Sequence, residues 1–134
     1  LAEIVRSAIP APARRRGGDP ARRSFQALRI AVTDELEILE GTLDQAIDLL
    51  RPAGRAAVLA YHSGEDTIVK RTFRHAATGG CTCPPALPCA CGARATVRLL
   101  KQGAWKPSAA EVAANRRAES ARLRAVEKLP QEVP

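Results

Sequence analysis

Methionine and aromatic residues are scarce in this sequence. The 134 residues contain no methionine, and the only aromatic side chains are Phe25, Tyr61, Phe73 and Trp105. So few rings argue against a protein that binds single-stranded nucleic acid by stacking bases on an aromatic platform. A chain without methionine has no initiator residue, and this one begins at Leu1 inside a helical pattern, so we expect a fragment of a longer protein.

Long apolar runs are also missing. No stretch approaches the roughly 20 apolar residues that a transmembrane helix needs, and the N-terminus lacks the basic, apolar and small-residue segments of a signal peptide. The sequence therefore predicts a cytoplasmic protein. A chain of this length is expected to bury one modest core, as one domain or a piece of one.

Charge is abundant but unevenly placed. The formal net charge is +7, although residues 31–50 contain only acidic side chains among their charged residues. Lysine and arginine gain affinity for nucleic acid by releasing counterions from phosphates, so nucleic acid is the expected partner. A coding bias toward arginine would produce the same excess.

Helical patterns dominate the N-terminal third. The spacing of apolar residues predicts a helix that runs from Leu1 and closes at Pro10, and a second helix through residues 21–32 that Asp19 caps. Thr33 is predicted to cap a third helix, whose first turn is acidic and which ends near residue 50.

An extended segment follows these helices. The apolar run 55–61 comes after a turn and is typical of a strand buried on both faces of a parallel sheet. A helical pattern begins at Ile68 and ends at Gly79, so the order helix, strand, helix predicts the α/β class. The remaining predicted elements are an alternating stretch at 95–100, a short helix opened by Ser108 and a strand at 120–126.

Four polar side chains directly follow the predicted strand: His62, Ser63, Glu65 and Asp66. The carboxyl ends of strands are where α/β proteins bind ligands, so these residues are candidates for a functional site. Alternatively, Ser63 caps the next helix, with Asp66 completing a capping box and Glu65 stabilising the helix dipole. That arrangement leaves His62 without a capping role, which favours function. A serine hydrolase is disfavoured, because adjacent residues of an extended segment point to opposite faces and no G-x-S-x-G motif is present.

The four cysteines form two C-x-C pairs, Cys81 with Cys83 and Cys89 with Cys91. Four thiolates so close in sequence could hold one zinc ion, although structural zinc sites usually use C-x₂-C. A pair of disulfides and plain reduced thiols are the alternatives.

Three longer stretches resemble one family. They are RRSFQALRIAVTDEL (22–36), YHSGEDTIVKRTF (61–73) and NRRAESARLRAVEKL (115–129), with CTCPP and CACG between the last two. In this order they resemble the C-terminal part of the ribosomal RNA small subunit methyltransferase H family, also called MraW or RsmH. The resemblance covers nearly all of residues 1–129.

The resemblance implies a fold. The family has a Rossmann-like class I methyltransferase domain interrupted by a helical substrate-recognition insertion. By resemblance, residues 1–32 are the end of that insertion, residues 33–129 are the C-terminal half of the catalytic domain with a Cys/Pro-rich loop at 79–92, and residues 130–134 are a tail. The family's glycine-rich donor-binding turn belongs to its N-terminal half, so this chain alone is expected to bind S-adenosylmethionine poorly.

The resemblance also implies an activity, methylation of the exocyclic N4 of a cytosine in 16S rRNA with S-adenosylmethionine as the donor. His62, Ser63, Glu65 and Asp66 match the family's F-H-S-L-E-D-R motif and are carried over as catalytic candidates. The family's P-G-G turn is Pro52-Ala53-Gly54 here, and arginines of the pattern are lost at Thr67 and Glu119. The candidates for phosphate contacts with the RNA are Arg22, Arg23, Arg29, Lys70, Arg71, Arg117, Arg122 and Arg124.

Two other classes fit parts of the sequence. A small zinc-stabilised RNA-binding protein would explain the charge and the cysteines, and a structural or interaction domain would have a fold without chemistry. Neither class predicts the three family motifs in order.

Overall fold

A computed structural model of the chain describes residues 1–10, 12, 19, 21–84 and 89–130. The chain forms two compact units, residues 1–35 and residues 36–134. Most of the loop expected before Asp19, and most of the tail expected from residue 130, lie outside the described residues. Within the described part of the chain, no helix is long and apolar enough to cross a lipid bilayer.

Among its described residues, the first unit has the helices α1 (Ala2–Ala8) and α2 (Ala21–Thr33). The predicted cap of α2 is confirmed, because the Asp19 carboxylate accepts a hydrogen bond from the amide of Ala21 at 3.0 Å. The same carboxylate accepts a bond of 2.6 Å from the Arg6 guanidinium, which ties the segment before α2 to α1. The apolar side chains along one stripe of α2 are exposed: Phe25, Leu28 and Val32.

The prediction that Thr33 caps the next helix is wrong. Thr33 is the last residue of α2, and its hydroxyl donates to the carbonyl of Arg29 at 2.9 Å. Asp34 then adopts a φ of +49°, which no α-helix can accommodate, and α3 (Glu35–Leu49) begins after it. A single left-handed residue therefore separates the two helices.

The second unit contains a three-stranded sheet in the order β1-β3-β2. Both outer strands run antiparallel to β3, so β1 and β2 are parallel to each other. The long helix α4 lies between them in sequence, so a mixed α/β fold is confirmed, although both strand pairs of the described sheet are antiparallel. The elements are β1 (Arg55–Ala60), α4 (Ser63–Thr78), β2 (Val97–Leu99), α5 (Ala109–Ala114), a 3₁₀ helix (Arg116–Ser120) and β3 (Arg122–Lys128).

The prediction that β1 is buried on both faces of a parallel sheet is wrong for the described strands. β1 pairs antiparallel with β3, and burial alternates along it: Ala56 and Val58 pack against the core, whereas Leu59 is 49% exposed. This alternation is that of a strand covered on one face. Three alanines in the strand made its apolar run look continuous in the sequence.

The core lies between that face of the sheet and the helices α3 and α4. Its buried side chains are Leu43, Ile47, Val69, Phe73, Val97 and Val126.

On the opposite face, Glu127 of β3 lies between two arginines. It accepts from Nε of Arg55 of β1 at 2.8 Å and from Nε of Arg98 of β2 at 2.9 Å. These hydrogen bonds hold the pKa of Glu127 below its usual range. Because both arginines are the register partners of Glu127, the three side chains favour one strand order and one register.

Candidate functional site

The turn between β1 and α4 is closed by His62. Its Nδ1 accepts hydrogen bonds from the amides of Gly64 at 3.1 Å and Glu65 at 3.3 Å. The Glu65 carboxylate reaches back to the amides of Tyr61 at 2.9 Å and His62 at 3.2 Å. These reciprocal bonds form a capping box with histidine at the N-cap. The expectation that His62 has no capping role is therefore wrong, as is the alternative in which Ser63 and Asp66 form the box.

The other ring nitrogen of His62 forms no hydrogen bond with the described residues. An Nδ1 that accepts two amide hydrogens carries no proton, so a neutral ring carries its proton on Nε2. Nε2 lies 3.3 Å from Oε1 of Glu65, but without hydrogen-bond geometry, and it is buried with no hydrogen-bond partner among the described residues. An unpaired buried donor costs free energy, which a ligand or another part of the protein would recover by displacing the side chains that cover this N–H and accepting its hydrogen bond.

Asp66 is held in a two-point ion pair with Arg124 of β3. The guanidinium donates to both carboxylate oxygens, at 2.7 and 3.0 Å. The hydrogen bonds from Arg124 are the main reason that the pKa of Asp66 lies below its usual range, opposed by partial burial. A carboxylate with a lowered pKa and two bonds already made is a weak proton acceptor, so Asp66 is suited to positioning Arg124.

Ser63 is the first residue of α4 and is exposed. Its carbonyl accepts from the Thr67 hydroxyl at 2.7 Å, and its own hydroxyl has no hydrogen bond to the described residues. The structure thus brings the four predicted residues together in one turn of chain. Two of their polar groups form no hydrogen bond with the described residues: the buried Nε2–H of His62 and the hydroxyl of the exposed Ser63.

A shallow cleft of about 180 Å³ opens beside Arg124. Four of its lining side chains are cationic: Lys70, Arg74, Lys101 and Arg124. Arg74 and Lys101 are not among the RNA-binding cations predicted from the sequence. Arg74 could have been predicted, because it lies one helical turn after Lys70 and therefore on the same face of the helix. Lys101 lies in the loop after β2, 5.4 Å from the centre of the Trp105 ring, and no local pattern marks it.

The predicted RNA-binding cations fall into two groups. Four of them already bond within the chain. Arg29 pairs with Glu35, Arg71 with Glu40 and Arg124 with Asp66, and Arg122 donates to backbone carbonyls. The remaining four have no ion pair among the described residues: Arg22, Arg23, Lys70 and Arg117. The free cations are the better candidates for phosphate contacts, because no internal bond must be broken.

The four cysteine sulfurs form a second cluster, in which all Sγ atoms lie within 4.8 Å of one another. The backbone amide of Cys91 and the neighbouring sulfurs together lower the pKa of Cys89 to about 7. The amide of Cys83 favours the thiolate of Cys81, but the sulfurs of Cys89 and Cys91 outweigh it and raise the pKa of Cys81 to about 12. Like negative charges so close together cannot all form unless a cation offsets them.

Comparison with known proteins gives one consistent result. A family model described as the MraW methylase family matches residues 1–129. The chain is 60% identical over 129 residues to the ribosomal RNA small subunit methyltransferase H of Acidothermus cellulolyticus. It is 55% identical over 130 residues to the protein of that name from Symbiobacterium thermophilum, and 53% identical to that from Heliobacterium modesticaldum.

The matches cover 96% of this chain but about two-fifths of the relatives. The share is 39% of the Acidothermus protein and 41% of each of the other two.

Proposed function

Because this chain belongs to the MraW methylase family, we propose that it forms the C-terminal part of an enzyme that methylates the exocyclic N4 of a cytosine in 16S rRNA. The observation that carries the proposal is the turn after β1, where the Ser63 hydroxyl and the Nε2–H of His62 form no hydrogen bond with the described residues and Asp66 is tied to Arg124 of the cationic cleft. The small ribosomal subunit in the cytoplasm is the proposed partner.

The proposed fold of the whole enzyme is the Rossmann-like class I methyltransferase. Two features of the second unit support it: β1 and β2 are parallel with α4 between them in sequence, and β1 has a single neighbour among the described strands. The free edge of β1 can therefore accept a strand from the rest of a larger sheet. Residues 1–32 are proposed to be the end of the helical substrate-recognition insertion.

S-adenosylmethionine supplies an electrophilic methyl group to enzymes that use it. The described residues do not fit its binding site, because β1 is followed by His62-Ser63-Gly64-Glu65 and not by a glycine-rich turn that would cradle such a cofactor. We assign donor binding to the rest of the enzyme, so the role of this chain is in holding the RNA.

Cytosine N4 is a poor nucleophile because its lone pair is delocalised into the ring, so the base must be turned out of its stack and held in line for transfer. The Nε2–H of His62 can donate to an acceptor on the Watson–Crick edge of cytosine, and the Ser63 hydroxyl can accept from the amino group. Glu65 and Asp66 hold the turn and Arg124 in place. The cationic cleft is proposed to bind neighbouring phosphates.

A chimera tests this proposal. The matching C-terminal part of the Acidothermus relative would be replaced by this chain, and methylation of undermethylated small subunits would be followed with labelled donor and by mass spectrometry of the target nucleoside. We expect activity in the chimera and a loss of at least about tenfold in H62N. Asparagine is a good N-cap, so H62N keeps the helix start while removing the imidazole.

H75N is the matched control, because His75 lies on the same helix near its other end. It should retain activity. A folded chimera that binds RNA but transfers no methyl group would contradict the proposed function. Full activity in H62N would show that His62 only caps the helix and takes no part in methyl transfer.

A further inference from the structure

The cysteine cluster has the dimensions of a single-metal site. Cys89 Sγ lies 3.4 Å from the sulfur of Cys81 and 3.3 Å from that of Cys91, and all four sulfurs lie within 4.8 Å of one another. Four thiolates bound tetrahedrally at about 2.3 Å from zinc are about 3.8 Å apart. The observed spacing therefore needs only small shifts to enclose one ion.

The chain fixes both ends of the cysteine loop. Helix α4 ends at Gly79 with a φ of +61°, and the backbone of Arg94 lies directly against this glycine. Two residues later, the amide of Thr96 donates to the carbonyl of Ala76 at 2.9 Å. The amide of Cys81 donates to Thr78 at 3.2 Å. The two arms of the loop, one with Cys81 and Cys83 and the other with Cys89 and Cys91, are thus held at their ends by backbone contacts. The cysteines are therefore partly preorganised.

The backbone around the sulfurs is arranged as in metal-thiolate sites. The amides of Cys83, Ala90 and Cys91 favour the thiolate forms of Cys81, Cys83 and Cys89, respectively. The unusual C-x-C spacing therefore still brings amides near the thiolates, which is what C-x₂-C spacing usually achieves. Amides in this position stabilise the negative charge on coordinating sulfurs.

Packing and disulfide formation explain the cluster less well. Unpaired cysteines are usually buried, yet Cys89 and Cys91 are exposed and none of the four belongs to the hydrophobic core. Cys89 contacts two sulfurs at nearly equal distance, whereas a disulfide would select one of them. One centre shared by all four sulfurs accounts for both facts.

We propose that Cys81, Cys83, Cys89 and Cys91 bind one Zn²⁺ ion, which joins the two arms of the loop. Four sulfur–zinc bonds form, the four thiols release their protons to solvent, and no electron is transferred. All four tetrahedral positions are filled by protein, so the site is structural and has no open position for a substrate. Soft thiolate ligands in a tetrahedral set favour zinc over calcium, magnesium or manganese.

The test is metal analysis of the 134-residue chain, purified under reducing conditions with a tag that contains no histidine. We expect about one zinc per chain by elemental mass spectrometry. Replacement with Co²⁺ should give the visible bands of a tetrahedral ion and thiolate-to-cobalt charge transfer. The double variants C81S/C83S and C89S/C91S should fall to background zinc, and T82S, altered between two of the proposed ligands, should keep the full content.

A second measurement covers variants that fail to fold. Titrating the wild-type chain with an organomercurial should release the zinc in proportion to modification of the four thiols. Wild-type chain that contains no zinc after purification and after refolding with Zn²⁺ would overturn the proposal. So would iron in its place, disulfides found by intact mass under non-reducing conditions, or zinc retained by both double variants.

Discussion

The two ring nitrogens of His62 have different roles: one caps a helix, and the other is proposed to donate a hydrogen bond to the target base. Its Nδ1 closes the start of α4, and this fixes the ring so that Nε2 is held in place with no hydrogen bond to the described residues. Because an imidazole is positioned by the bond that its other nitrogen makes, the cap itself orients the free N–H. Asp66 likewise fixes the direction of the Arg124 side chain through two hydrogen bonds, although 58 positions in the sequence separate the two residues.

The Asp66–Arg124 pair should make the free energy of unfolding depend on pH. Asp66 has a lowered folded-state pKa, so its contribution is present above the unfolded pKa of about 4 and is lost as the pH falls through the folded-state value. D66N should lower the free energy of unfolding by about 1–2 kcal/mol at pH 7, with the difference shrinking in acid. Urea unfolding at several pH values measures it.

D44N is the control, because Asp44 is exposed on α3. Equal stability of D66N and the wild type at pH 7 would show that the ion pair contributes nothing.

Ala53 occupies a backbone conformation that favours glycine. Its φ is +63°. In the P-G-G turn of the family, the first glycine occupies this position. A53G should raise the free energy of unfolding by about 0.5–1 kcal/mol, because relief of the left-handed strain exceeds the added flexibility of the unfolded chain. A57G in the extended strand β1 should instead destabilise, and thermal unfolding of both variants compares the signs. Destabilisation by A53G would contradict the strain argument.

At the level of elements, the end of α4 decides where the cysteine loop begins. Gly79 has a left-handed φ and lies too close to Arg94 for a side chain, since a Cβ there would be 2.4 Å from the carbonyl oxygen of Arg94. The glycine therefore stops the helix and lets the returning chain pass close to it.

G79A should cost more stability than the same change at Gly92. Both glycines have positive φ, +61° and +71°, but a Cβ at Gly92 would meet no atom within 4 Å. G92A should lose about 1 kcal/mol from backbone strain, and G79A should lose more because Arg94 must also move. Thermal or urea unfolding compares the pair, and equal losses would mean that the contact with Arg94 relaxes freely.

Local signals in the sequence predicted the helices well and the contacts between elements poorly. Asp19 and Ser108 cap the helices that they were expected to cap, because both offer a short side-chain oxygen next to the first turn. His62 was missed as a cap because histidine seldom has that role. The sheet partner of β1 and the pair of Asp66 with Arg124 depend on residues far apart in sequence, which no local periodicity encodes.

At the scale of the whole molecule, the excess positive charge is concentrated in part at the cleft beside Arg124. Lys70 and Arg74 have no ion pair among the described residues, and Lys101 is held over Trp105. Asp66 offsets the charge of Arg124, so the other three cations are the ones available to phosphates. A partner that binds here should therefore be sensitive to salt.

The triple variant K70Q/R74Q/K101Q should weaken RNA binding and flatten its salt dependence. If each cation neutralises one phosphate, the slope of log K against log salt should fall by about 2 for single-stranded RNA. The control R51Q/K106Q/R116Q removes the same charge from exposed positions that do not line the cleft. Fluorescence anisotropy with a labelled RNA measures both, and equal slopes in the two variants would assign the effect to net charge alone.

The free edge of β1 has a practical consequence for the separated chain. Its unpaired backbone amides and carbonyls form a template on which a second copy can add, and the exposed Leu59 beside that edge gives such an association an apolar contact. Concentrated samples should therefore self-associate strand to strand, and supplying the proposed N-terminal half of the sheet should keep them monodisperse.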